Sequence, residues 1–151
     1  MKLAPMSAAA VLAVVVGAAA AKGELTGDPK AGEAIYARCF ACHALAYNRT
    51  GPKHCGLLGR RAGSVAGFEY SAAMKRANWV WNRQTLDRFL ADPLKAVPGT
   101  TMGYAGVKDR QERADLIAYI EQAGRSEVCR RVQQEHGPLQ AAHVLCGGAV
   151  D

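Results

Sequence analysis

Five consecutive residues, Cys39-Phe40-Ala41-Cys42-His43, place two thiols and an imidazole in one short segment. At this spacing both thiols can add to the vinyl groups of one porphyrin, and the residue that follows supplies a proximal imidazole to iron. A Cys-x-x-Cys alone also serves zinc and thiol–disulfide sites. The histidine directly after it turns the expectation to covalent haem c, with Cys39 and Cys42 as attachment points and His43 as one axial ligand. An iron with one protein ligand keeps an open position for gas binding or chemistry; a second ligand closes it. Of the four methionines, Met1 and Met6 fall in the N-terminal apolar run, which leaves Met74 and Met102. Met102 stands in Pro98-Gly99-Thr100-Thr101-Met102-Gly103-Tyr104-Ala105-Gly106, a stiff, glycine-punctuated loop. A thioether often only fills a gap in a core, but in this loop, downstream of Cys-x-x-Cys-His, Met102 is the candidate second ligand.

The elements that must position these groups read as helices. Gly27-Asp28-Pro29 opens the first, with Asp28 as N-cap and Pro29 at the first helical position. Gly32, Ile35, Tyr36 and Cys39 then share one face, which predicts that the Cys-x-x-Cys-His lies at this helix's C-terminal end. Residues 44–70 are rich in glycine and small side chains with little periodicity, a stretch a compact domain tolerates when it wraps something. Ser71 to Ala77 reads as a short helix. Asn82 caps another, carrying Leu86, Phe89 and Leu90 inward and stopping before Pro93. Residues 91–106 read as loop. Asp109 with Glu112 marks a capping-box start to the last regular helix, which turns Leu116, Ile117 and Ile120 inward and stops at Gly124. No strand pattern appears, so the domain, about 27–124, is expected to be all-α.

The 151 residues suit one domain. Lys2, the run around Val11 to Val16 and the small residues Ala18 to Ala21 read as a secretory signal, 1–21. The run is Ala-rich and contains Gly17, too weakly apolar for a bilayer span, which needs roughly 20 apolar residues. Cleavage before Lys22 and a periplasmic location without a membrane anchor are expected, with the haem domain at 22–125. Residues 126–151, with Arg130-Arg131, Gly137-Pro138 and Gly147-Gly148, read as a tail holding at most one short helix. The net charge of +6 becomes +5 without the signal, because Lys2 is its only charged side chain. This modest excess favours an acidic protein partner or a membrane surface. Its scatter excludes nucleic acid, which would require a clustered basic patch.

In order along the chain stand Gly32 and Tyr36, Cys39-x-x-Cys42-His43, Thr50-Gly51-Pro52, Gly56-Leu57-Leu58-Gly59-Arg60, Gly67-Phe68-Glu69-Tyr70, Trp81, the Met102 loop and Glu112-Arg113-Ala114-Asp115-Leu116-Ile117-Ala118-Tyr119. From Gly27 to Gly124 the chain resembles the class I c-type cytochromes, small carriers of electrons in mitochondria and bacteria. The resemblance implies the cytochrome c fold, three main helices plus short helices and loops wrapped around one covalent haem. It implies that Gly32 lets the first and last helices cross closely, with Tyr36, Leu116 and Tyr119 at the contact. The Pro52 carbonyl would accept the Nδ1–H of His43; Arg60, Tyr70 and Trp81 would satisfy the haem propionates; Thr100 would supply a hydroxyl near Met102.

Several positions depart from that family. Phe89 stands where a tyrosine is usual, Met74 where mitochondrial relatives have a buried Asn, Tyr104 in place of Phe, and His54 in place of Leu. Leu94 and Thr101 occupy lysine positions of the mitochondrial docking ring, while Arg38, Lys95 and Lys108 remain, which implies an encounter steered less by charge. His54 reads as a packing or solvent-facing residue, with off-pathway ligation and pH sensitivity as alternatives. Of the cysteines not committed to haem, the fold implied by the resemblance favours a Cys55–Cys129 disulfide; Cys129–Cys146 competes, and a leftover cysteine is either free or bridges a dimer of an otherwise monomeric protein. A metal clip from His136, His143 and Cys146 matches no strong zinc spacing. The function implied is a non-enzymatic one-electron shuttle between donor dehydrogenases or reductases and acceptor oxidases or reductases. A peroxidase-like enzyme or gas sensor with a labile Met102, and a subunit docked through its tail, are the alternatives.

Overall fold

A computed structural model describes residues 25–135; the expected signal at 1–21 and the chain from His136 on, with His143 and Cys146, lie outside the described residues. The elements are helices: α1 (Pro29–Tyr36), α2 (Ala72–Arg76), α3 (Arg83–Ala91), α4 (Pro93–Ala96), α5 (Arg110–Gly124) and α6 (Glu127–Glu135). Three of them, α1, α3 and α5, carry the core that holds the site.

Asp28 caps α1 by accepting from the Lys30 N–H at 2.9 Å, ahead of Pro29. The helix ends at Tyr36 and tightens into a 3-10 turn, Ala37–Cys39, so the Cys-x-x-Cys-His begins on that turn rather than on regular helix. The face of α1 bearing Gly32, Ile35 and Tyr36 is buried against α5. The helices approach so closely that a Cβ at Gly32 would lie 2.0 Å from the Asp115 carbonyl oxygen. Tyr36 and Leu116 are fully buried there, each burial worth about 1.5–3 kcal/mol. The Asp28 N–H donates to the buried Asp115 carboxylate at 2.8 Å, and Gln111 donates to the same oxygen at 2.9 Å, so the junction carries a satisfied polar lock.

Asn82 caps α3 reciprocally with Thr85: each residue's backbone N–H bonds the other's side-chain oxygen, at 2.8 and 2.9 Å. At α5 the box is half-made. Asp109 accepts from the Glu112 N–H at 2.9 Å, but the Glu112 carboxylate turns to a two-bond ion pair with Arg38, 3.0 Å each. Residues 91–106 are not all loop, since Asp92 caps a one-turn helix, α4, opened by Pro93. The expectation missed this Asp-Pro start because the segment's glycines and prolines dominate its composition.

The glycine-rich segment is strapped to the Trp79–Trp81 strip. An isolated antiparallel bridge pairs Arg61 with Val80, flanked by Ala62 N–H to Trp79 O at 2.8 Å and Trp81 N–H to Arg60 O at 2.9 Å. Beyond α5, α6 is joined to the segment by a Cys55–Cys129 disulfide with the Cα atoms 5.0 Å apart, and Cys129 is fully buried. Residues 127–135 are thus packed helix at the start of what the sequence suggests is a tail. No described helix is long and apolar enough to cross a membrane.

Candidate haem site

Cys39 is half-buried and Cys42 exposed, both as free thiols. Burial pushes the Cys39 thiol up, against a smaller opposing pull from Arg38. The turn closes on itself with the His43 N–H bonded to the Cys39 carbonyl at 2.9 Å, which carries the imidazole inward. His43 is buried, and its Nδ1–H donates to the Pro52 carbonyl at 2.8 Å. Burial lowers the His43 pKa, with the Pro52 bond partly opposing. The neutral ring therefore keeps its proton on Nδ1 and presents the Nε2 lone pair as its free donor. Gly51 makes room for this ring, since a Cβ there would sit 2.3 Å from His43 Cε1.

The remaining candidates are placed as follows. Met102 is half-buried against the core cluster, and its backbone N–H donates to Thr100 Oγ1 at 3.3 Å. Thr100 is buried, so its hydroxyl braces the loop's own backbone. Trp81 is buried in an aromatic cluster with Phe89 and Trp79, ring centroids 5.2 and 5.9 Å away. Tyr70 packs edge-to-face on Phe68 at 4.7 Å, and burial raises its pKa. Arg60 is turned to main chain, donating to the Cys55 and Lys53 carbonyls at 3.0 and 2.9 Å, while its Nε is buried with no hydrogen-bond partner. Met74 is a core residue.

Three other residues play parts the sequence did not disclose. His54 lies face to face with His43, ring centroids 4.3 Å apart and planes 26° from parallel, with Nδ1 2.9 Å from the Tyr36 hydroxyl. Burial pushes its pKa well down, and the His43 and Arg60 charges act in the same direction. Tyr36, expected only at the helix crossing, is the partner of that imidazole; burial holds its phenol protonated. Arg113 is buried and donates to the Val107, Lys108 and Asp109 carbonyls at 2.9, 3.0 and 3.4 Å and to Asp87 at 2.7 Å. It clamps the exit of the Met102 loop to α3 and α5. The sequence signal was slight: an arginine one turn into a helix whose first turn already holds an N-cap.

The described residues suit an iron porphyrin. The two thiols are free, the histidine has one nitrogen committed and one available, a glycine-walled recess holds its ring, and the orphaned Arg60 Nε suits an anionic edge such as a propionate. No group of three or more His, Cys, Asp or Glu among the described residues could cage a bare metal ion instead.

Residues 29–124 match the family model described as Cytochrome c. Cytochrome c 2.1 of Caenorhabditis briggsae is 49% identical over 98 residues, covering 63% of this chain and 88% of that protein. Cytochrome c2 of Blastochloris viridis is 42% identical over 115 residues, covering 74% and 87%. Among solved structures, cytochrome cH from Methylobacterium extorquens is similar at 40% identity with a TM-score of 0.62, covering 64% of this chain and 99% of that one. Match and geometry agree on the same stretch of chain: the protein belongs to the cytochrome c family, whose cofactor is one covalently attached haem c.

Proposed function

We propose that this protein is an exported one-electron carrier in which Cys39 and Cys42 hold the haem and His43 and Met102 close both axial positions of its iron. The observation that carries the reading is the His43 Nδ1–Pro52 bond, which commits one nitrogen and leaves the other as a strong ligand. The haem supplies reversible one-electron chemistry at iron, at a potential set by ligands, burial and hydrogen bonding. The chain supplies the rest. Pro52 fixes the tautomer and rotation of His43, Thr100 and Arg113 hold the Met102 loop in shape, and the Trp81–Phe89 cluster keeps water from the interior. Held by His43 and Met102, the iron would change geometry little between oxidation states and would offer no open position to peroxide or oxygen. Arg60, with its unpaired Nε, together with Tyr70 and Trp81, serves the propionates.

The partners are redox proteins, a donor dehydrogenase or reductase and an acceptor oxidase or reductase, met in the periplasm by a monomer released from its signal. The docking face is only weakly basic. Arg38 is paired with Glu112, Lys108 lies against Asp92 and the Ala91 carbonyl, and Leu94 and Phe40 are exposed. An optical spectrum of the purified holoprotein, ferric and ferrous, with and without CO, tests the reading. A Met–iron charge-transfer band with a CO-indifferent ferrous form is expected. No band and rapid CO binding would replace the carrier with a haem enzyme or gas sensor.

A further inference from the structure

We propose that His54 is a positioning residue of the redox centre: its imidazole, tethered by the Tyr36 hydroxyl, stacks on the His43 ring and stabilises the positive charge that ring takes up when the iron is oxidised. The proposal rests on His43 being an axial ligand, as argued above.

The segment on which His54 sits cannot easily swing it away. Its own N–H bonds the Ala44 carbonyl at 3.1 Å, the Cys55 N–H bonds the Leu45 carbonyl at 2.8 Å, and Cys55 is cross-linked to Cys129. The ring is fixed from the other side by Tyr36, whose hydroxyl lies 2.9 Å from Nδ1. Tyr36 itself is fully buried, with the Tyr119 and Phe40 rings each 4.9 Å from its own. With the phenol O–H as donor, Nδ1 is the acceptor and the His54 proton sits on Nε2. Two aromatic faces 4.3 Å apart and 26° from parallel are in stacking contact.

The chemistry follows from charge. With haem bound, its oxidation would pass one electron to the acceptor protein, with no bond formed or broken and no proton leaving either histidine. Part of the added positive charge spreads onto the ligating imidazole. A π face over a ring gaining positive charge attracts it, as aromatic faces attract cations. An aliphatic side chain at the same place has no such field. His54 therefore favours the ferric state, and Tyr36 holds it in register. The Pro52 carbonyl sets the His43 tautomer, while His54 acts on the ring's face, so the two contributions are separable.

The test compares holoprotein variants His54→Leu and Tyr36→Phe with the parent by potentiometric titration at one pH and by paramagnetic NMR of the His43 ring protons. Leucine places an apolar side chain in this part-buried position, and Phe in place of Tyr removes only the hydroxyl, so each variant backs up the other if one fails to fold. His54→Leu is expected to raise the midpoint potential and displace the His43 resonances; Tyr36→Phe should move both in the same direction by less. Unmoved potential and resonances in a variant that keeps His/Met spectra overturn the His54 role alone. A parent without His/Met spectra overturns the ligand assignment, and this proposal with it.

Discussion

The two sides of the haem site are built by different means. On the histidine side, Gly51 N–H bonds the Cys42 carbonyl at 2.7 Å, His43 bonds Pro52, His54 and Cys55 bond back to residues 44 and 45, and a disulfide pins the segment's end. On the methionine side the loop is gripped chiefly near its ends. Thr100 N–H bonds Val97 O at 3.0 Å on entry, Val107 N–H bonds Leu90 O at 2.8 Å on exit, and Arg113 holds the exit carbonyls. One side is braced throughout and the other is suspended between anchors. Local opening draws on the least braced segments, so if Met102 closes the iron as proposed, its side is where that closure should yield first.

The largest test of this contrast is a pair of glycine substitutions. Gly51→Ala drives a methyl to 2.3 Å from the His43 ring and should cost about 3 kcal/mol with loss of haem incorporation. Gly103→Ala, in the Met102 loop, meets nothing within 4 Å and should leave holoprotein yield and melting temperature near those of the parent. Equal damage at both sites would abolish the distinction. Next in size, Cys55→Ser with Cys129→Ser should lower stability by about 2–4 kcal/mol in urea titrations, while Met102 spectra at neutral pH stay intact. Arg113→Ala, which strands three carbonyls and Asp87, should cost about 2 kcal/mol; it should expose ferrous iron to CO well below the global unfolding midpoint, the reverse of the disulfide variant.

A smaller effect concerns acid. Burial depresses the folded-state pKa of His54 below the ordinary value of 6.5, so the unfolded chain binds its proton more readily. The stability contribution is fully present above that value and is lost as pH falls toward the folded-state pKa. Urea midpoints should therefore drop between about pH 7 and about pH 5, and His54→Leu should flatten that drop. Smallest, electron-transfer rates should fall only gently with ionic strength, because Arg38 and Lys108 are already engaged by Glu112 and Asp92.

What could be read in advance follows from the range of the interactions. Asp28-Pro29 and Asn82 act within one helical turn, and α1 and α3 start where those residues stand. The all-α cytochrome c fold was legible because spaced motifs from Gly32 to Tyr119 carried it, and the family match spans the same stretch. Contacts across distant chain segments were not legible. Glu112 has a local use in a capping box, yet a partner 74 positions away takes it. His54 looked like a packing residue because its stack needs residues 36, 43 and 54 together, and no periodicity links them. Arg60 was expected to face propionates; two of its nitrogens serve nearby carbonyls and only Nε is left over, a division that depends on how the 53–60 turn closes.

The Cys55–Cys129 cross-link also bears on how the molecule is assembled. Forming it removes two electrons and two protons from a pair of thiols, whereas joining Cys39 and Cys42 to vinyl groups is an addition that needs both sulfurs reduced. If the proposed export and haem attachment hold, one compartment would have to oxidise Cys55 and Cys129 and spare Cys39 and Cys42, although the spared pair lies only three positions apart. An agent that oxidised Cys39 and Cys42 first would delay haem attachment until that disulfide was reduced again, so assembly would depend on order as well as on proximity.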